Sequence, residues 1–176
     1  LILVLVGVAL GLAVGTRAEQ KLPFFFLPPL HVAQSSRFRE FPEGTTDTFH
    51  VNTRSTLDLL EYCRIAGGKQ FFLASTGGVY GGQSGPISEA GSLIPASEIG
   101  FYFASKLAAE MFSSTYRQVF DVSVLRIFFM YGPRQRRDMF LPRLIDRVRA
   151  GESIRIDTEG GIRVNPIFVD DVARLL

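Results

Sequence analysis

Tyr102 and Lys106 stand four residues apart at the start of a segment with helical periodicity. Side chains at this spacing lie on one face of a helix. An ammonium beside a phenol favours the phenolate, so Lys106 is expected to lower the pKa of Tyr102 below its usual value of about 10. A tyrosine with a lowered pKa can exchange protons near neutral pH.

Ser75 and Thr76 supply hydroxyl groups at the end of a short apolar run, QFFLAS. Both side chains could hydrogen-bond the same substrate hydroxyl that Tyr102 deprotonates. Hydroxyl, phenol and ammonium then form a proton-transfer triad without histidine. The structural alternative is an ordinary tyrosine at a helix start, a solvated lysine and two hydroxyls that end a strand.

Apolar strand-like runs alternate with helical patterns along the chain, which predicts a parallel sheet with helices on its faces. The predicted strands cover 24–33, 70–75, 122–132 and the NPIFV run, and the predicted helices cover 52–66, 102–120, Leu141 to Val148 and a C-terminal DDVARLL segment. Ligands bind beyond the carboxyl ends of parallel strands. The predicted site segments are therefore Val32 to Gln34, Ser75 to Tyr80 and Phe128 to Tyr131.

Composition excludes several classes of protein. The chain has 176 residues, 47% of them hydrophobic, which suits one folded domain and excludes whole-chain disorder. The single cysteine, Cys63, excludes an internal disulfide, is predicted to lie in the core, and indicates a reducing, cytoplasmic location. A net charge of +2 gives no general attraction to nucleic acid, and the cluster Arg134, Arg136 and Arg137 is read as a solvated loop.

Metal and membrane binding are not expected. His31 and His50 have no cysteine or carboxylate partners at metal-ligand spacing, so no metal site is predicted. Residues 1–15 carry no charge and are short for a membrane span. They can represent a truncation or frame artefact, a signal or anchor segment, or a buried strand and helix. We therefore treat 1–20 as a separate apolar segment and 21–176 as a partial domain.

Several sequence stretches occur in the order and at the spacing of a known family. They are LHVAQ (30–34), VNTRSTLDLLE (51–61), FLASTGGVYG (72–81), PISEAGSLIP (86–95), YFASK (102–106), LRIFFMYGPRQR (125–136) and RVNPIFVDDVA (163–173). Together they resemble the extended short-chain dehydrogenase/reductases, the NAD-dependent epimerase/dehydratase family. The resemblance implies an incomplete Rossmann-like, doubly wound parallel sheet with flanking helices, without the first strands, the glycine-rich loop and most of the C-terminal substrate lobe.

The resemblance also implies roles for individual residues. Tyr102 matches the catalytic acid/base, Lys106 its partner and a ligand of the nicotinamide ribose, and Thr76 the hydroxyl that binds the reacting sugar oxygen. Arg163 matches an arginine that binds the substrate diphosphate. Further cofactor-binding positions are Val32, Ala33, Asn52, Ala74, Ser75, Phe128 and Phe129. Phe129 departs from the family pattern, because many members have an asparagine there that contacts the sugar nucleotide.

The reaction implied is an epimerisation of a nucleotide sugar with NAD, NADP not being excluded. Sugar 4,6-dehydratases of this family carry an Asp-Glu pair directly after the catalytic threonine, where this chain has Gly77 and Gly78. The two glycines therefore disfavour elimination of water. Reduction of a keto-sugar uses the same residues as epimerisation and is an alternative activity. The other alternative is a non-catalytic remnant that keeps the fold. We expect little turnover from the 176-residue chain alone, and dimerisation through the helices that contain Asn52 and Tyr102.

Overall fold

A computed structural model describes residues 28–83, 85–155 and 164–175. The chain divides into two units, of which the first ends at Arg126 and the second begins at Ile127. The predicted N-terminal segment 1–20 lies outside the described residues. None of the described helices is long and apolar enough to cross a membrane.

The described part of the first unit forms three strands in the order β1-β2-β3, namely β1 (Leu30–His31), β2 (Gln70–Thr76) and β3 (Asp121–Ile127). β1 runs parallel to β2, with Leu30 opposite Phe72. The predicted strand at 70–75 is confirmed, whereas the predicted strand at 24–33 is regular over only two of its described residues. Pro28 and Pro29 lack the amide hydrogen that ladder pairing needs, and Pro29 contributes only its carbonyl, which accepts from the Phe72 amide at 2.9 Å.

Three helices accompany this sheet: α1 (Thr45–Phe49), α2 (Ser55–Ile65) and α3 (Phe101–Thr115). A π-helical turn, His50–Arg54, joins α1 to α2. The helix predicted from Asn52 therefore begins earlier, at Thr45, and it stops before the Gly67-Gly68 pair as predicted. Gly67 has a φ of +71°, a left-handed conformation that glycine adopts without strain, and this ends the helix.

The core of the first unit lies between α2, α3 and one face of the sheet. Along β2, alternate residues are buried, as expected when one face packs on helices. Cys63 is buried, as predicted, and its thiol donates to the Gln70 carbonyl at 3.7 Å. The core residues are Leu60, Cys63, Phe71, Leu73, Ala109, Phe120 and Val122.

The second unit contains a two-stranded parallel sheet, β4 (Phe129–Tyr131) and β5 (Pro166–Phe168), with helices α4 (Phe140–Arg149) and α5 (Val169–Leu175). The single strand predicted at 122–132 is wrong, because it is divided into β3 and β4. The Met130 amide donates to the Phe128 carbonyl at 2.8 Å, a tight turn that interrupts the extended backbone. The α/β class, with parallel strands and flanking helices, is confirmed.

Candidate active site

Lys106 lies on α3 with its ammonium buried at the ends of two neighbouring strands. Its side chain is 4% exposed, and Nζ donates to the Ala74 carbonyl at 3.1 Å and to the Ala33 carbonyl at 3.5 Å. Burial lowers the pKa of Lys106 to about 8, an effect that the Glu110 carboxylate partly opposes. Lys106 therefore fixes α3 to the carboxyl ends of β1 and β2, where parallel sheets bind ligands.

Tyr102 precedes Lys106 by one helical turn and lies between aromatic rings. Its ring centroid is 4.9 Å from that of Phe38 and 5.2 Å from that of Phe103. Its hydroxyl donates to Oε1 of Gln34 at 3.0 Å. Burial raises the pKa of Tyr102 to about 12, and a hydrogen bond from Thr76 lowers it only in part. The predicted lowering of this pKa is wrong, because the aromatic neighbours desolvate the phenol while the ammonium binds backbone carbonyls.

Thr76 ends β2 and faces Tyr102. Its Oγ1 accepts from the Gly78 amide at 3.1 Å, which caps the short helical turn Gly77–Tyr80. The Thr76 hydroxyl is therefore held in place by the turn that follows the strand. The structure thus brings together the hydroxyl and the phenol of the predicted triad, with the ammonium on the next turn of α3.

Ser75 occupies the opposite face of β2. Successive side chains of a strand alternate between faces, and Ser75 is buried with Phe71 and Leu73. Its hydroxyl donates to Glu110, so the prediction that Ser75 and Thr76 both hydrogen-bond a substrate hydroxyl is wrong for Ser75. Only the main chain of Ser75 is left as a predicted cofactor contact.

A buried ion pair that the sequence analysis missed lies behind Ser75. Nη2 of Arg126 on β3 contacts Oε2 of Glu110 at 2.7 Å, and the Glu110 side chain is 8% exposed. Arg126 also donates to the Tyr80 hydroxyl at 2.7 Å, and its guanidinium carbon lies 4.8 Å from the centre of that ring. The signal was present in the sequence, since Arg126 is a charged residue inside an apolar strand and Glu110 lies on the buried face of a helix.

Asn52 connects the segment after β1 to α3. Its side chain is 1% exposed, its Oδ1 accepts from the Ser35 amide at 3.1 Å, and its Nδ2 donates to Oγ of Ser105 at 3.0 Å. Ser105 in turn donates to the Tyr102 carbonyl at 2.7 Å. The amide of Asn52 therefore has a positioning role in this structure, and its predicted cofactor contact stays a prediction.

The other predicted cofactor residues lie at strand ends. Val32 and Ala33 follow β1, where Val32 is 39% exposed. Phe128 and Phe129 belong to the second unit, where the Phe129 ring is 6.1 Å from that of Phe140. Arg163 lies outside the described residues.

Aromatic side chains also line a cleft of about 580 Å³ beside Tyr102. Phe38, Phe41, Phe101 and Phe103 contribute to its walls. The ring of Phe103 fills the space directly over Gly78, so that a side chain at position 78 would collide with it. The sequence pattern indicated a role for Gly78 but not for its aromatic neighbour Phe103.

Comparison with known proteins supports the family that the sequence motifs indicate. Residues 30–176 match the sequence model of the NAD dependent epimerase/dehydratase family, which is most of the chain. The chain belongs to this family. It is 35% identical over 147 residues to a UDP-glucuronate 4-epimerase of Thermodesulfobacterium geofontis, covering 82% of this chain and 45% of that protein. It is 43% identical over 125 residues to the uncharacterized UDP-glucose epimerase YtcB of Bacillus subtilis, covering 70% and 39%.

Solved structures of family members share the fold. UDP-glucuronic acid 4-epimerase from Bacillus cereus, in complex with UDP-glucuronic acid and NAD, is 29% identical with a TM-score of 0.69 over 81% of this chain and 46% of that one. MoeE5 in complex with UDP-glucose and NAD is 35% identical with a TM-score of 0.65 over 82% and 49%. The chain thus spans less than half the length of these relatives.

Replacement of Glu110 by Gln should destabilise the first unit by about 3 kcal/mol, because Arg126 and Ser75 lose a buried carboxylate. Chemical denaturation measures this loss. The control is Asp58→Asn, which breaks an ion pair with Arg54 whose side chains are more than half exposed and should cost below about 1 kcal/mol. Equal losses of unfolding free energy in the two variants would show that the buried Glu110–Arg126 pair stabilises the protein no more than an exposed pair does.

His31 should make stability fall in mild acid. Burial, assisted by the charge of Lys106, lowers the pKa of His31 to about 4. Between pH 6.5 and about 4 the unfolded chain therefore binds a proton that the folded chain does not, so the free energy of unfolding falls by up to about 3 kcal/mol as pH decreases. His31→Gln should flatten this slope in urea denaturation at several pH values. An unchanged slope would refute the assignment.

Proposed function

We propose that this protein is an NAD-dependent nucleotide-sugar epimerase in which Thr76, Tyr102 and Lys106 carry out proton transfer, with a UDP-hexuronate such as UDP-glucuronate as the substrate. The supporting observation is the placement of Tyr102 one helical turn before Lys106, whose buried ammonium binds the Ala33 and Ala74 carbonyls beside the strand that Thr76 ends. The substrate class follows from the similarity to UDP-glucuronate 4-epimerases.

The hydrogen-bond donors of the Lys106 ammonium suit the binding of NAD. An ammonium has three N–H donors, and the carbonyls of Ala33 and Ala74 take two of them. The third donor can bind a ribose hydroxyl of the cofactor. Val32 and Ala33 would lie along the cofactor, with further contacts from Asn52, the main chain of Ala74 and Ser75, and Phe128 and Phe129. Arg163 would hold the substrate diphosphate.

Proton transfer is the part of the reaction that this chain performs. NAD, held by Lys106 and the neighbouring strand ends, would supply the hydride acceptor and donor that oxidation and re-reduction of the sugar carbon require. Tyr102 takes the proton of the sugar hydroxyl and gives it back, while Thr76 hydrogen-bonds the same oxygen. Because burial raises the pKa of the phenol in this structure, ionisation of Tyr102 during the reaction would depend on positive charge that a bound cofactor brings.

Epimerisation is favoured over elimination by the residues next to Thr76. Loss of water from the sugar requires an additional acid and base, and Gly77 and Gly78 provide neither. Phe103 occupies the space that a side chain on residue 78 would enter. An acidic side chain at position 78 would require the Phe103 ring to move.

Tyr102→Phe in the complete gene product should reduce turnover of UDP-glucuronate by about 10²- to 10⁴-fold, because general acid/base catalysis is lost. Binding of NAD, measured by calorimetry, should persist. Tyr62→Phe, on α2, is the matched control and should leave turnover unchanged. Retained turnover in the Tyr102 variant would contradict the catalytic assignment.

We also propose a homodimer formed through α2 and α3. The supporting observation is exposed apolar surface on both helices, with Leu57 37%, Phe112 42% and Met111 69% exposed. Light scattering should give twice the monomer mass for the native protein, and Phe112→Asp should give the monomer mass. Val119→Asp, which changes an exposed apolar residue outside these helices, should stay dimeric. A monomeric native protein would refute the proposal.

A further inference from the structure

Gln34 lies between two backbone groups that buried side chains hold in place. On one side, the Ala33 carbonyl accepts from Lys106; on the other, the Ser35 amide donates to Asn52. Both partners are themselves anchored, Lys106 at the Ala74 carbonyl and Asn52 at Ser105. The backbone of Gln34 is thus fixed relative to α3.

The side chain of Gln34 is exposed, yet its amide oxygen accepts a hydrogen bond from the Tyr102 hydroxyl at 3.0 Å. An exposed side chain adds little to the stability of the core. Its fixed backbone and its contact with the phenol together point to a role at the site rather than in packing.

We propose that Gln34 is a positioning residue that serves both protonation states of Tyr102, its Oε1 accepting from the phenol and its Nε2 donating to the phenolate after rotation of the amide. The proposal rests on the assignment of Tyr102 as the acid/base. A terminal amide carries an acceptor and a donor of similar shape, and its last torsion is broadly two-fold. Neither a carboxylate nor an aliphatic side chain can exchange these roles.

The two hydrogen bonds differ in strength. A bond to an ionised acceptor is roughly twice as strong as one between neutral groups. Removal of the amide should therefore destabilise the phenolate more than the phenol, so the pKa of Tyr102 should rise by about one unit. The polar and charged groups on the elements around Tyr102 are Thr76 on β2 and Lys106 on α3. His31 and Glu110 act electrostatically on or with Lys106, and the guanidinium of Arg39 lies over the Phe38 ring. All of them are the same in every variant below.

The test is a pH titration by fluorine NMR of the chain with 3,5-difluorotyrosine at position 102, whose more acidic phenol titrates in an accessible range. Gln34→Ala should raise the pKa of the probe by about one unit, and Gln34→Glu should raise it further through its negative charge. Gln118→Glu, an exposed change of the same type beyond the other end of α3, should leave the pKa unchanged.

Two outcomes would overturn the proposal. If Gln34→Ala leaves the pKa unchanged or lowers it, the amide serves only the neutral phenol or does not contact it. If only Gln34→Glu raises the pKa, the effect is that of an added charge. Because the titration requires no turnover, a failure of this proposal is distinguishable from a failure of the proposed enzyme activity.

Discussion

The site depends on one buried ammonium. Lys106 loses most of its hydration inside the first unit, and carbonyl acceptors at the ends of β1 and β2 offset this cost. Because these carbonyls belong to neighbouring strands, their shared donor fixes the start of α3 against the edge of the sheet. Tyr102, one turn earlier, is thereby placed beside Thr76 at the end of β2. A neutral side chain at position 106 would leave the two carbonyls without this donor.

The surroundings of Tyr102 are arranged for a neutral phenol in this structure. Phe38 and Phe103 pack against its ring, and its hydroxyl donates a hydrogen bond to Gln34. Burial raises the pKa of this phenol, and the hydroxyl of Thr76 opposes the rise only in part. Such a site holds the phenol in one orientation without ionising it. If Tyr102 is the acid/base, as proposed, its ionisation would depend on charge brought by ligands.

The sequence predicted those parts of the site that rest on local patterns. The β2 strand, the α3 helix and the Tyr102–Lys106 spacing follow from short apolar runs and helical periodicity. The raised pKa of Tyr102 could not be predicted, because Phe38 approaches it from a distant part of the chain. The Glu110–Arg126 pair was missed for a different reason, since a charge within an apolar pattern indicates burial but does not identify its partner. The division into β3 and β4 was also missed, because periodicity does not reveal the tight turn at Phe128 or the pairing of β4 with β5.

The most direct test of the account follows the hydrogen on the reacting sugar carbon. The complete gene product would be incubated with NAD and with UDP-glucuronate deuterated at C4, and the products analysed by NMR and mass spectrometry. Transient oxidation within one site predicts the 4-epimer with its deuterium retained and no accumulation of reduced cofactor. Loss of deuterium to water, or net formation of reduced cofactor with a ketone product, would contradict the proposed epimerase.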